Sequence, residues 1–500
     1  MMDNKDKLSE LPKGWVWTRV GELYNIVGGG TPSTKIANYW NGNIPWITSA
    51  DIYGLKNIIP RKQITEDAIK NSATNLVPER SIIVVTRVGL GKIALTKIPL
   101  CFSQDSQALI DNSFFIFPDY SLYYLSTAVQ IFKYKHRGTT IAGVTKKQLF
   151  ELEFVLPPLP EQHRIVAKIE ELFTRLDAGT AALKKVKAEL KRYRQAVLKY
   201  AFEGELTAAW REANKDKIKP ASVLLARIKE ERRKAVREKY KEILLPDVSD
   251  LHELPEGWLW ASSSEVCASV RDGTHDTPKY VEVGIPLITS KNLKENGLDF
   301  STAKNISTED HQKISLRSGV EAGDILFAMI GTIGNPVVVK TGRVFSIKNV
   351  ALFKKNTPFI FSEYLKYWFE GLVFNKLLEK KKYLKGTTQR FIPLEYLRIL
   401  PIPLCNYQEQ RQIIEEIERR LSVADEVEKV VEQSRRQSER LRQSILKKAF
   451  AGKLVLQDPS DEPAEKLLER IKAEKAKHDA EVKGKKASKK KSSTKQGRLK

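Results

Sequence analysis

The sequence predicts an α+β chain in which two mixed α/β domains are separated by two long antiparallel helices forming a coiled coil, the whole arranged as a pseudo-twofold internal repeat. Three observations predict this. Between Glu161 and Gly204 the apolar residues recur in alternating steps of three and four. Ile165, Ile169, Leu172, Leu176, Leu183, Val186, Leu190, Tyr193 and Val197 therefore share one stripe, too narrow for a globular core and suited to a partner helix. At 1.5 Å per residue such a rod reaches roughly 64 Å. A second stretch, Glu409 to Gly452, matches the first without a gap: Arg194-Gln195, Leu198, Ala201-Phe202 and Gly204 return as Arg442-Gln443, Leu446, Ala449-Phe450 and Gly452. Finally, the match extends beyond the rods at a domain-sized period of roughly 245 residues, which indicates a duplicated two-part unit and not a solenoid.

Taken in order, the first domain (residues 1–158) opens with LPKGWVW at Leu11 and is dense in short β-like runs, Gly and Pro. IPWITSADI, SIIVVTRVG and KIALTKIPL read as strands, and Leu122 to Lys133 as a short amphipathic helix. GGGTPST (Gly28 to Thr34) must be a loop. It lacks a following Gly-Lys-Ser/Thr and reads as a surface turn near a ligand and not as a nucleotide cradle; GLGK at Gly89 is followed by Ile93 and also fails as a Walker motif. VLPPLPEQ closes the domain, because prolines end a strand but suit a helix entry. The central helical region (159–250) holds the first rod, a polar irregular stretch LTAAWREANKDKIKP, and a charged helix from Ala221 to Leu245.

The second domain (251–406) repeats the first with different loops. LPEGWLW at Leu254 echoes LPKGWVW, Ile285-Pro286 and Ile288-Thr289-Ser290 echo Ile44-Pro45 and Ile47-Thr48-Ser49, and RDGTHDTPKY (Arg271 to Tyr280) stands where the first half has GGGTPST. The C-terminal helical region (407–482) carries the second rod, whose seam is interrupted by Arg420, Ser434 and Ser438, as Gly179 interrupts the first. PASVLLARIK after the first rod returns as PAEKLLERIK after the second. Residues 483–500, KGKKASKKKSSTKQGRLK, form a low-complexity basic tail expected to be disordered and to touch phosphate weakly.

Composition narrows the function. A chain of 500 residues with 41% hydrophobic content can fill several cores, and a formal charge of +24 calls for a polyanionic partner, nucleic acid first. A membrane surface is disfavoured: the best apolar run, SIIVVTRVGLGKIAL, is broken by Arg87 and Lys92, and MMDNKDKLSE is no secretion signal. Cys101, Cys267 and Cys405 are odd in number and far apart, and read as buried thiols in a reducing cytoplasm. None of the six histidines sits in a zinc spacing, and Walker, helicase and amino-methyltransferase signatures are missing. No catalytic residue and no metal site are expected.

On these residues the chain resembles the specificity subunit of type I restriction-modification systems. The resemblance covers essentially the whole chain and rests on the paired LPxGW openings, IPWITSADI and IPLITSKNL, RDGTHDTPKY, LPPLPEQHRI and RYRQAVLKYAFEGELT. It implies a non-catalytic subunit whose two target-recognition domains each read one half of a split double-stranded DNA sequence. The helical regions would fix their separation and dock two modification (methyltransferase) subunits, with restriction (translocase and endonuclease) subunits joining the complex. S-adenosylmethionine, ATP and Mg are then expected in those partners and no cofactor in this chain.

Base edges are read by polar side chains on loops, whereas phosphates only need charge. The candidates in the first domain are Thr31, Ser33, Thr48, Ser49, Asp51, Arg87, Lys92, Gln104, Gln107, Thr139 and Thr140. In the second they are Arg271, Thr274, His275, Thr289, Ser290, Lys291, Asn292, Lys348, Asn349, Thr387, Thr388 and Arg390. Arg192, Arg194 and Lys199 on the first rod are the candidates for partner docking. Two other classes are weighed against this reading: a fused DNA-modifying enzyme, which would act on DNA alone, and a scaffold that binds DNA without sequence preference.

Overall fold

The structure, a computed structural model, describes residues 11–496 apart from 112, 114, 131, 133–142, 237–245, 381, 382 and 388. It divides into two compact units: Met1–Ala182 with Ser434–Lys500, and Leu183–Gln433. These units are not the linear segments of the sequence reading, because the cuts fall inside the two rods. The reason lies in the cores, where each recognition domain packs against the start of one rod and the end of the other.

In the first unit, a four-stranded antiparallel sheet runs in the order Asn25–Gly28, Ser106–Ile110, Ile82–Val85, Ile93–Leu95. Ile82 and Val84 face a core shared with the rods, while Ile83 and Val85 face a second cluster with Ile47 and Phe102. Both faces are covered, which is why SIIVV is continuously apolar. A three-stranded sheet orders Lys62–Ile64, Ile44–Ile47 and Cys101–Phe102, the last pair parallel. Val16–Arg19 pairs with Glu153–Leu156 and returns the chain to the rod. The second unit repeats this plan. Its sheets run Val270–Asp272, Val350–Phe353, Ile325–Ala328, Gly334–Val338, and Tyr280–Val281, Lys304–Ile306, Ile285–Ile288, Ser346–Ile347, with Leu259–Ser262 on Pro401–Leu404.

The rods are helices of 44 residues each, Leu159–Phe202 and Tyr407–Phe450. In the first unit Ile165 and Ile169 share a core with Phe450, whose ring meets Tyr120 and Tyr124 edge-on, and with Ala464, Leu467 and Ile471 of the C-terminal helix. In the second unit Ile413 and Ile417 share a core with Phe202, which meets Tyr364 and Trp368 edge-on, and with Ala221 of the following helix. Within each unit the rods are antiparallel. Leu172, Leu176, Leu183, Val186 and Leu190 are half-buried along the expected seam. Tyr193 is 42% exposed, and Arg194 takes its place there, bridging Asp425 at 2.6 Å and Glu428 at 3.0 Å.

Other expectations are corrected. The helix placed at Leu122 to Lys133 is Pro118–Ala128, started by Pro118, with Lys133 outside the described residues. The stretch after Gly204 is not wholly irregular, since Ala208–Ala213 is helical. The next helix is Ala221–Val236, and residues 237–245 lie outside the described set. The basic tail expected to be disordered from Lys483 continues the helix Ala464–Gln496, with 497–500 outside the description. Lysine and alanine are good helix formers, and no proline interrupts them. Among the described residues no helix is long and apolar enough to cross a membrane. The three cysteines are free and buried, and burial pushes the Cys101 thiol up to about 11.

Each rod begins with the same anchor. Trp15 of LPKGW donates its indole N–H to Glu161 Oε2 at 2.9 Å, and the adjacent Gln162 accepts from the Phe117 amide at 2.9 Å and donates to the Pro157 carbonyl at 2.9 Å. Trp258 of LPEGW repeats the bond to Glu409 Oε2 at 2.9 Å, with Gln410 accepting from Phe361 and donating to Cys405. The anchors differ in charge. Glu409 also accepts from Thr207 at 2.8 Å and Arg211 at 2.7 Å, whereas Arg164, the cation near Glu161, is held by Asp461 at 2.6 Å. Burial therefore raises the Glu161 carboxyl above its ordinary 4.5, outweighing the Trp15 hydrogen bond.

A carboxyl with a raised folded pKa binds its proton more tightly folded than unfolded. Its ionisation costs nothing well below pH 4.5 and weakens the first unit increasingly as pH rises from there through the folded value. Glu161→Gln is thus expected to maintain or increase protection of the first rod's opening turns at about pH 7, with the gain gone near about pH 4. Glu409→Gln removes the carboxylate facing Arg211 and should cost the second unit about 2 kcal/mol. Amide exchange of peptides covering 161–170 and 409–418 checks both, and equal losses at the two sites would refute the asymmetry.

Candidate nucleic-acid interface

In the first unit four loops close on one another at one end of the sheets. The Gly28 to Thr34 loop is stitched to two strands of the three-stranded sheet by Gly30 N–H to Phe102 O at 2.9 Å and by Trp46 Nε1 to Gly30 O at 3.0 Å. A Cβ at Gly29 would lie 2.2 Å from Ser103 O, so the glycine run serves close backbone packing and not a phosphate cradle. Thr31 donates to Gln104 across this junction. Ser103 N–H reaches Ile47 O at 2.9 Å, the amides of Thr86 and Arg87 reach Asp105 O, and Lys92 Nζ donates to Ser49 O at 2.8 Å. Thr31, Ser33, Thr48, Ser49, Arg87, Lys92 and Gln104 are therefore brought together, with Ser33, Arg87, Lys92 and Gln104 exposed. Gln107 lies within the sheet opposite Gly28 and Val84, and Thr139 and Thr140 lie outside the described residues.

Asp51 is not a free reader. It is buried and closes a capping box in which Thr48 N–H and Oγ1 donate to Oδ2 at 2.7 and 2.8 Å. Its other oxygen accepts from Arg61 Nε at 2.5 Å. Burial works to raise this carboxyl, but the bonds from Arg61 and Thr48 prevail and hold it below the usual range.

The second unit builds the same cluster from other residues. Gly273 repeats the tight approach, its Cβ position 2.4 Å from Ile347 O. Thr274 N–H reaches Ile347 O, Asn349 N–H returns to Thr274 O, and Ser290 Oγ donates to Asn349 O. Lys348 donates to Thr277. His275 is held through Nε2, 2.8 Å from Asp272 Oδ2, and Nδ1, 3.0 Å from Asn349 Oδ1. Arg271 and Lys291 are exposed beside these loops. Thr289 and Asn292 form the second capping box, and Asn292 is buried with its amide donating to Asp299 O at 2.9 Å and Thr302 Oγ1 at 3.2 Å. It is a turn residue that cannot reach a base. Thr387 and Arg390 are exposed on a loop bound to Gly331, whose N–H donates to Arg390 O at 2.9 Å; Thr388 lies outside the described residues.

Sequence reasoning missed Arg61, Asp272 and Arg317. Arg317 lies in the last turn of the helix Thr308–Ser318 and pairs with Asp272. Nothing in the local sequence marks a pair of residues so far apart, although Asp272, ending the strand Val270–Asp272 beside Gly273 and Thr274, was a usable signal. On the first rod Arg192 is exposed, Lys199 pairs with Glu203 at 3.8 Å and lies over the Tyr200 ring, and Arg194 is committed to the helix pair.

A family model described as the type I restriction modification DNA specificity domain matches residues 12–192. The EcoDI specificity subunit of Escherichia coli is 26% identical over 97% of this chain and 99% of its own length. The EcoBI specificity subunit of Escherichia coli is 30% identical over 71% of this chain and 70% of its own length. A solved chain from work on complex assembly and conformational transition of the type I R-M system shares the fold, with TM-score 0.59 and 21% identity over 89% of this chain and all of that one. Chain-long similarity, the duplicated anchors and the paired loop clusters lead to one conclusion: this chain belongs to the type I restriction enzyme specificity subunits.

Proposed function

We propose that the two loop clusters each read one half of a bipartite DNA target, while the paired rods set the spacer between the halves and dock two modification subunits. The observation that carries this reading is that one scaffold occurs twice with its anchors and sheet order kept, while the loop side chains differ. Methyl transfer, translocation and cleavage then belong to partner subunits, which bring S-adenosylmethionine, ATP and Mg, and this subunit supplies recognition alone. The charge of +24 supplies phosphate affinity without sequence information, and the loops supply the discrimination.

Exchange of residues 254–406 for the corresponding domain of a relative is expected to change one half of the methylated sequence and leave the other intact. Genome-wide mapping of methylated sites in cells carrying the complex checks this, and a change in both halves would count against independent reading. For spacing, matched insertions of four residues in both rods, at the exposed Ala181 and Gln437, add about 6 Å of helix. The spacer should lengthen by about one or two base pairs, each taking about 3.4 Å, with both half-sites unchanged. An unaltered spacer in a variant that still methylates would disprove the ruler.

Docking is read from the rod surface of the second unit, where Tyr193, Tyr200, Val423, Val427 and Val430 are all exposed, flanked by Arg192 and Lys199. Exposed valines at steps of four and three on one helix fit a partner surface. Val423→Glu with Val430→Glu should weaken assembly with the modification subunit about tenfold or more without changing the target, as read by native mass spectrometry. Arg194→Glu is expected to act differently, by breaking the pairs with Asp425 and Glu428 inside this chain.

A further inference from the structure

Each loop cluster contains a buried aspartate holding an outward arginine. In the first unit the Asp51 side chain is 5% exposed and binds Arg61 Nε at 2.5 Å, while the Arg61 side chain is 57% exposed. In the second the Asp272 side chain is 3% exposed and binds Arg317 Nη2, while the Arg317 side chain is 55% exposed. The two pairs are not copies of one ancestral contact. The counterpart of Asp51 is the neutral Asn292, which does the same capping and donates to Asp299 and Thr302, with no arginine partner among the described residues. Asp272 ends a strand whose counterpart ends in Gly28. A pair that merely stabilised the shared scaffold would recur at matching positions; these recur only in arrangement.

The arrangement does something specific to an arginine. Bonding through Nε leaves the Nη1–Nη2 fork of Arg61, and bonding through one N–H of Nη2 leaves its second N–H to form a fork with a neighbouring nitrogen of Arg317. The carboxylate behind the guanidinium offsets much of its charge, which weakens attraction to phosphate, yet leaves its directional donors in place. It also orders the side chain before binding, so less rotamer freedom is lost on contact. Directional donors without net charge suit a base edge, and a fork of two N–H groups suits guanine O6 and N7. Both arginines also stand at the loops already described: Asp51 caps the turn holding Ser49 and Lys92, and Asp272 holds His275 against Asn349.

We infer that Arg61 and Arg317 are the guanine-reading side chains of the first and second half-site, and that Asp51 and Asp272 are the residues positioning them. The inference rests on the proposed reading of the loop clusters as DNA-binding surfaces. It is tested in the assembled complex with its modification partner, by mapping methylated motifs and by titrating duplexes that differ at single base pairs over a range of salt. Arg61→Ala should lower discrimination at one G·C pair of the first domain's half-site roughly tenfold and leave the other half unchanged, and Arg317→Ala should do the reverse. Asp51→Asn and Asp272→Asn should weaken discrimination at the same pairs while the rest of each half-site is still read, an outcome that loss of folding would not give. Asn292 shows that asparagine can close the capping box, so Asp51→Asn keeps the turn. A loss of affinity uniform over all sequences, with the salt slope reduced by about 1, would identify phosphate contacts and overturn the inference. So would unchanged discrimination in the arginine variants. If domain exchange alters its half-site while these variants do not, only this inference fails; if exchange itself changes nothing, the underlying reading fails.

Discussion

The hydrogen bond from a tryptophan indole to a buried glutamate in the first turn of a long helix is the constraint on which both halves of this chain depend. Trp15 to Glu161 and Trp258 to Glu409 join residues about 150 positions apart, so each closes a whole domain onto the start of its rod. A carboxylate there also faces the positive end of the helix, which partly compensates its burial. The following glutamine takes one backbone donor and, at Gln162, one backbone acceptor or, at Gln410, two from the same domain, leaving neither half of its amide idle. The direction in which the domain's loops face is thereby tied to the axis of the rod.

Away from these anchors the rods are held by a thin seam. Half-buried leucines and valines alternate with Ser434, Ser438, Arg194 and Arg442, the last stacking on Phe173 and pairing with Asp177. The substantial apolar burial is at the rod ends, where Phe450 sits among Tyr120, Tyr124 and Phe154, and Phe202 between Tyr364 and Trp368. A polar seam contributes little stability per residue but admits few alternative registers, since a shift would strand Arg194 away from Asp425 and Glu428. Length and alignment are the properties such a seam protects.

The repeat, the rods and the strand-rich domains were legible in the sequence because they rest on periodicity and on duplicated words such as LPxGW and PEQ. Burial on the seam was legible to within one residue, the exception being Tyr193, which an apolar scale places inward although Arg194 has the ion-pair partners that position needs. Loop positions were legible as regions. Thr31 and Gln104, or Ser49 and Lys92, do meet within the first unit. Individual roles were not, since Asp51, Asn292 and Gln107 have the composition of readers but are buried or placed within the sheet by contacts that local sequence does not encode. Arg317 was invisible for the same reason: its partner Asp272 lies on another element.

The division of the chain into compact units has a consequence for the order in which a ribosome can complete them. The second unit is contiguous, residues 183 to 433, and every segment of its core has been made by the time the middle of the second rod emerges. The first unit contains the N-terminal domain but takes Ala449, Phe450, Ala464, Leu467 and Ile471 into its core. The domain synthesised first is thus the last to be finished, and the sites that Phe450 and Leu467 will fill stay open through most of translation. Nascent chains stalled before residue 434 should therefore carry a protease-resistant second unit beside a first domain that remains open to digestion and prone to self-association.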